Sequence, residues 1–91
     1  MAITTAQYTL DTTVATQICA PDSQNQRVTV HNLESGTGKK IYVGAADVSS
    51  SNALEMNPLV FFQFTLDPGD SLWAVGSSAG VKVGVLRQKQ D

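Results

Sequence analysis

Turn-forming clusters cut this chain into runs that suit strands and are too short and wrongly patterned for helices. Pro21-Asp22-Ser23-Gln24-Asn25, Asp67-Pro68-Gly69-Asp70 and Gly76-Ser77-Ser78-Ala79-Gly80 are each dense in residues that favour turns. Between them no window shows apolar residues recurring at helical spacing, while Val and Thr dominate and alternate with polar residues. In Arg27-Val28-Thr29-Val30-His31 and in Val81-Lys82-Val83-Gly84-Val85 the valines share one face of an extended chain. Strands are expected over 12–19, 27–32, 40–43, 59–66, 71–75 and 81–87, with 12–32 read as a hairpin and Val14 and Ile18 facing away from Ala15 and Cys19. Residues 44–58 read as a loop, with at most a short strand around Val48. Pro68 and Gly69 occupy the central positions of a type II turn, where only glycine adopts the required positive φ cheaply. The Thr-rich residues 1–11 read as an N-terminal arm or edge strand preceding a domain over 12–91. Six or seven short strands at this spacing specify an all-β fold, a single small antiparallel sandwich or barrel-like domain.

A length of 91 residues holds one small domain. Its net charge of −2 and its scattered basic residues exclude a phosphate-tracking face, so no nucleic-acid partner is expected. Cys19 is the single cysteine, which leaves neither an intrachain disulfide nor a thiolate metal cage. The start, Met1-Ala2-Ile3-Thr4-Thr5, lacks a basic segment followed by an apolar one, so no signal peptide is read there. Aliphatic and aromatic runs such as Leu59–Phe62 are too short to cross a bilayer, and no membrane partner is expected. Charged residues make up 15% of the chain, against roughly 25% for an average soluble domain. Small uncharged polar groups take their place, and such a surface dehydrates cheaply against another protein.

Four features invite a chemical reading. Gly36-Thr37-Gly38-Lys39 has the look of a phosphate loop, but G-x-x-x-x-G-K-[ST] needs a glycine at Leu33, a hydroxyl at Lys40 and a helix after it. All three are missing, and the segment reads as a connection between strands. His31 is the only histidine; alternation turns it outward at a strand end, and Asn32 beside it reads as a turn-starter whose side chain caps the following backbone. Cys19 reads as a small buried hydrophobe. Asp67 and Asp70 fall short of the six to eight oxygens that calcium takes, and the turn accounts for both. No catalytic set, cofactor or metal is expected.

The informative stretch is Leu59-Val60-Phe61-Phe62-Gln63-Phe64-Thr65-Leu66. Phe62, Phe64 and Leu66 fill one face, yet Leu59 and Phe61 lie on the other. The run 71–75 has the same surplus, with Leu72 and Ala74 on one face and Trp73 and Val75 on the other. Read as a hairpin, these strands need cover on both sides. One cover is the domain's own core. The second is either the 44–58 loop or another protein chain. In the latter case Phe61, Trp73, Leu59 and Val75, with Tyr8 and Ile3 of the arm, are the candidate interface residues.

The order of these segments resembles the small β-rich virion proteins of tailed bacteriophages, especially head-decoration (capsid cement) proteins. In that family an R-x-x-V-x-N strand leads to I-Y-V-G, a V-[ST]-[ST] turn, a P-G-[DE]-x-L-[WY]-A strand and a closing V-x-V-x-x-x-R. Arg27, Val30, Asn32, Ile41, Tyr42, Val43, Gly44, Val48, Pro68, Gly69, Leu72, Trp73 and Ala74 match, and Val81, Val83 and Arg87 match more loosely. The resemblance spans about residues 12–88. The family's Asn-Gly after the V-[ST]-[ST] turn is Asn52-Ala53 here. The resemblance implies a non-enzymatic protein, made in the host cytoplasm and placed on the capsid exterior. Its expected partners are the major capsid protein and its own copies, as a homotrimer. A phage tail or fibre component is the alternative within this class. Outside it stands a small carbohydrate- or protein-binding module using Trp73, Tyr42 and Phe61 as a stacking platform.

Overall fold

The computed structural model describes residues 2–36, 38–49 and 51–89; Thr37, Ser50 and both ends of the expected arm and domain (Met1, Gln90 and Asp91) lie outside the described residues. Eight strands form: β1 (Ala2–Leu10), β2 (Thr16–Cys19), β3 (Gln26–Asn32), β4 (Ile41–Gly44), β5 (Leu54–Met56), β6 (Phe61–Leu66), β7 (Leu72–Gly76) and β8 (Val81–Lys89). No helix is present among the described residues. Two four-stranded antiparallel sheets, β1-β8-β3-β6 and β2-β7-β4-β5, make the sandwich. This strand order is that of a jelly roll, in which successive strands alternate between sheets except at the β4–β5 hairpin.

That alternation corrects two expectations of adjacency. β2 and β3 do not pair as a hairpin, since β2 joins β7 while β3 lies between β8 and β6. Nor do β6 and β7 pair, because Asp67-Pro68-Gly69-Asp70 carries the chain from one sheet to the other. The turn itself has the expected geometry: Gly69 has φ +86°, and the Asp70 N–H donates to the Asp67 carbonyl at 3.0 Å. Sequence patterning reports which side of a strand is apolar, and both arrangements satisfy it equally.

Three local expectations also shift. Residues 2–10 are no detached arm. They pair along their length with β8, bury Leu10 and lay Tyr8 against the core, so the edge-strand alternative holds. β2 begins at Thr16, leaving Val14 exposed, and its register slips between Gln17 and Cys19. A bulge there allows Ile18 and Cys19 both to be buried, against the strict alternation expected of them. The short strand within 44–58 forms at Leu54–Met56, not around Val48.

The core lies between the sheets and is built chiefly from Leu10, Ile18, Val28, Val30, Ile41, Val43, Met56, Leu66, Leu72, Val81 and Val83. Phe62 and Phe64 point to this side without being fully enclosed. Phe64 packs on the core, but Phe62 stays 39% exposed at an edge where the facing sheet ends in the three-residue strand β5. Asn32 locks the sheets together. Fully buried, it donates from Nδ2 to the carbonyls of Lys39 (3.0 Å), Met56 (3.3 Å) and Asn57 (3.2 Å), while Oδ1 accepts from the Glu34 N–H at 3.0 Å. The last of these is the expected turn-starting cap. Burying one amide that satisfies four backbone groups is tolerable because no polar atom is left alone.

Candidate functional site

The register places fourteen residues on the outward face of the β1-β8-β3-β6 sheet and strings them into cross-strand rows. One row runs Gln7–Gly84–His31–Phe61, the next Thr5–Leu86–Thr29–Gln63, and a third Ile3–Gln88–Arg27–Thr65. Gly84 has no side chain to fill its place, and Leu33 folds over it, with its methyl carbons 3.4 Å from where a Cβ would stand. The result is an open trough of about 430 Å³ bordered by Thr5, Gln7, Thr29, His31, Leu33 and Leu86. His31 lies where alternation put it. Its ring meets Phe61 edge-on, with centroids 6.1 Å apart and planes at 87°. That geometry is an aromatic contact.

Phe61 is 67% exposed and Leu59 57%. Leu59 also holds φ 63° in the turn Asn57-Pro58-Leu59-Val60, closed by the Val60 N–H on the Asn57 carbonyl at 3.2 Å. It occupies the position of a type II turn that glycine normally fills. A leucine there carries backbone strain of about 1 kcal/mol.

The outward face of the other sheet differs. Tyr42 stands opposite Val75, and Gly44 opposite Trp73. The chain after β4 doubles back over this face: Val48 is buried, and its Cγ2 sits 3.0 Å from where a Gly44 Cβ would be. Asn52 holds the loop, accepting from the Ser49 N–H at 2.6 Å and donating to the Asp47 carbonyl at 3.2 Å. Val75 is only 1% exposed, and Trp73 is half-buried with its Nε1–H on the Ser71 hydroxyl at 3.0 Å.

The six candidate interface residues therefore do not form one patch. Phe61 and Leu59 share a corner. Ile3, 60% exposed, lies on the same face but on the opposite edge strand. Tyr8 packs against the core and is only partly exposed, while Val75 is buried within the chain and offers no surface. Trp73 belongs to the covered face of the other sheet. The same division breaks the stacking platform proposed for a carbohydrate module, because Phe61 and the pair Tyr42 and Trp73 lie on different sheets.

Elsewhere the polar groups have structural work. Lys39 is exposed and lies 3.5 Å from Glu34, and Gly38 turns with φ +80°, as befits a connecting loop. Cys19 is buried, and burial pushes its thiol up in spite of the opposing pull of Arg87. Its Sγ lies 3.5 Å from the Gln26 Oε1. The Asp22 carboxyl is held below its usual range by Lys89, 2.9 Å away, and then by the Gln24 N–H.

No family model and no curated protein matches the chain. Its fold is known. The chain is similar to one in the solved structure of the disulfide-linked pili that form Bacillus endospore appendages, with a TM-score of 0.60 over 99% of this chain and 87% of that one. At 15% identity the likeness concerns the sandwich alone.

Proposed function

We propose that this protein is a non-enzymatic structural subunit that decorates a bacteriophage head, binding the major capsid protein through the outward face of the β1-β8-β3-β6 sheet. One observation carries the reading: Phe61 and Leu59 stand exposed, the latter on a strained backbone, beside an open trough, while the other sheet's apolar surplus is covered by its own loop. An apolar corner ringed by Thr, Gln and His has the anatomy of a contact surface with an anchor and a dehydratable rim. The resemblance of the Arg27–Asn32, Ile41–Gly44 and Pro68–Ala74 segments to head-decoration proteins selects the virion as the setting.

A second reading, a subunit of a fibre or other polymer, is favoured by the fold likeness to a pilus chain. Mixing the purified protein with phage heads stripped of accessory proteins separates the two. Saturable co-sedimentation with heads, weakened by Phe61→Ala, supports decoration. Filaments formed by the protein alone, with no retention on heads, would replace it with the second reading.

A further inference from the structure

β6 forms one open edge of its sheet, and its backbone polarity there can be read from the ladder. The Asn32 N–H donates to the Val60 carbonyl at 3.0 Å, on the same register as Val30 opposite Phe62 and Val28 opposite Phe64. Hydrogen-bonded pairs alternate along an antiparallel ladder. Phe62, Phe64 and Leu66 therefore spend their N–H and C=O groups on β3, while Phe61, Gln63 and Thr65 turn theirs toward the edge, where no strand pairs among the described residues. None of the usual protections of an edge is present: Phe61–Leu66 contains no charge, no proline and no bulge in its register with β3.

We infer that this edge pairs with the same edge of a second copy, β6 against β6 antiparallel, with Gln63 on the two-fold axis. The register follows from the pattern. Placing Gln63 opposite its mate sets Phe61 against Thr65 of the other copy and brings the edge-facing backbone groups into hydrogen-bonded pairs. On the core side it sets Phe62 against Phe64 of the other copy and Phe64 against Phe62. The phenylalanine left 39% exposed beside its own Phe64, at 6.4 Å between centroids, becomes part of a four-ring cluster. The core-side row then runs without a polar residue from Val28 through Phe64 and the other copy's Phe62 to its Val30. Pairing β6 with a neighbour's β1, the sheet's other edge, would set the core-side phenylalanines against a row of Thr4, Ala6, Tyr8 and Leu10. Tyr8 is the one aromatic in that row, and both Tyr8 and Leu10 are already packed into their own core. That makes the self-complementary closure the better match.

Taking about 200 Å² for a whole aromatic side chain, Leu59, Phe61 and Phe62 expose roughly 300 Å² per copy. With the edge backbone the contact falls below the roughly 1,200 Å² of a standard interface, so the dimer belongs to the weak, concentration-dependent class. It also leaves the outward side of Phe61, His31 and the trough free for another protein. This inference does not depend on the capsid reading, because it is measured on the protein alone.

The test is sedimentation of the full chain across a wide concentration series. A mass rising toward two chains supports the pairing. A monomer throughout, or closure at three chains, overturns it. Gln63→Pro removes the N–H beside the axis without touching a bond to β3, and is expected to weaken association about tenfold or more, as loss of two symmetric hydrogen bonds implies. Unchanged association of a folded Gln63→Pro protein also counts against the register. Should that variant not fold, Gln63→Cys decides. A hydrogen-bonded antiparallel pair sets Cα atoms about 5.5 Å apart, within disulfide range, so mild oxidation should give a covalent dimer. A folded Gln63→Cys protein that does not cross-link overturns the inference.

Discussion

Trp73 and Phe61 occupy equivalent places in the sequence pattern. Each is an aromatic residue on the side of its strand that looks away from the core, in a stretch apolar on both faces. Around Trp73 the chain supplies its own cover. β4 ends in Gly44, a residue without a side chain, so Val48 can fold down onto the sheet, and Asn52 fastens the returning loop. Around Phe61 the connections run elsewhere. β6 is an edge strand, the Pro58-Leu59 turn projects its leucine outward, and Leu33 caps Gly84 but stops short of the corner. Equal apolar surplus thus becomes a sealed layer on one sheet and an open surface on the other. What decides between them is whether a loop of sufficient length starts beside a gap in the sheet.

The largest expected effect tests the sealed side. Trp73→Ala should lower folding stability by about 3 kcal/mol, the low end of the range for deleting a core aromatic, since the ring is only half-buried. Thermal unfolding measures it. A melting temperature within a degree or two of the parent would show that the loop does not seal this face. Phe61→Ala is expected to behave in the opposite way. The free protein should melt almost unchanged, because a side chain 67% exposed contributes little to folding. Retention on phage heads should weaken by about 2 kcal/mol, as for an anchor in a desolvated contact. If Phe61→Ala lowers the melting temperature as much as Trp73→Ala does, the two faces are alike and the comparison fails.

Much of this was legible in the sequence. The all-β class, the outward His31, the Asn32 cap, the buried Cys19 and the type II turn at Pro68-Gly69 each follow from local rules. Period-two alternation and turn stereochemistry act within a few residues. Partnership between strands does not. β2 and β3, or β6 and β7, look like hairpins because they are adjacent and joined by turn residues, and nothing local distinguishes a turn within a sheet from one between sheets. The candidate surface was half legible for the same reason. The surplus at Leu59, Phe61, Trp73 and Val75 is visible in the alternation, but which part is covered depends on where the 44–58 loop lands. Gly44 was the available signal, a gap in a strand with a valine four residues later.

A smaller effect sharpens the open side. Leu59 has a backbone conformation that glycine adopts freely, so Leu59→Gly removes about 1 kcal/mol of strain. The greater freedom of glycine in the unfolded chain takes back about 0.5–1 kcal/mol. Folding stability should therefore change little, while retention on heads weakens because an exposed apolar contact is gone. Denaturant unfolding and co-sedimentation measured side by side separate these terms. If retention is unaffected, the leucine is held in its strained turn for a reason other than contact, and the surface shrinks to Phe61.

The smallest expected effect belongs to neither face. Lys39 sits in the loop between β3 and β4, exposed, with Glu34 at 3.5 Å. An exposed pair at that distance contributes within about 0.5 kcal/mol, so Lys39→Ala should leave both the melting temperature and retention on heads where they were. The loop hydrogen bonds that matter are backbone ones, the Lys39 N–H on the Gly36 carbonyl and the Lys39 carbonyl under Asn32, and an alanine keeps both. Were this lysine a phosphate ligand, ATP or GTP would bind saturably to the parent protein and lose that binding in Lys39→Ala. Calorimetric titration with either nucleotide decides it. Measurable binding abolished by the substitution would mean that a third region, the glycine-containing loop, carries a function to which both sheet faces are only scaffold.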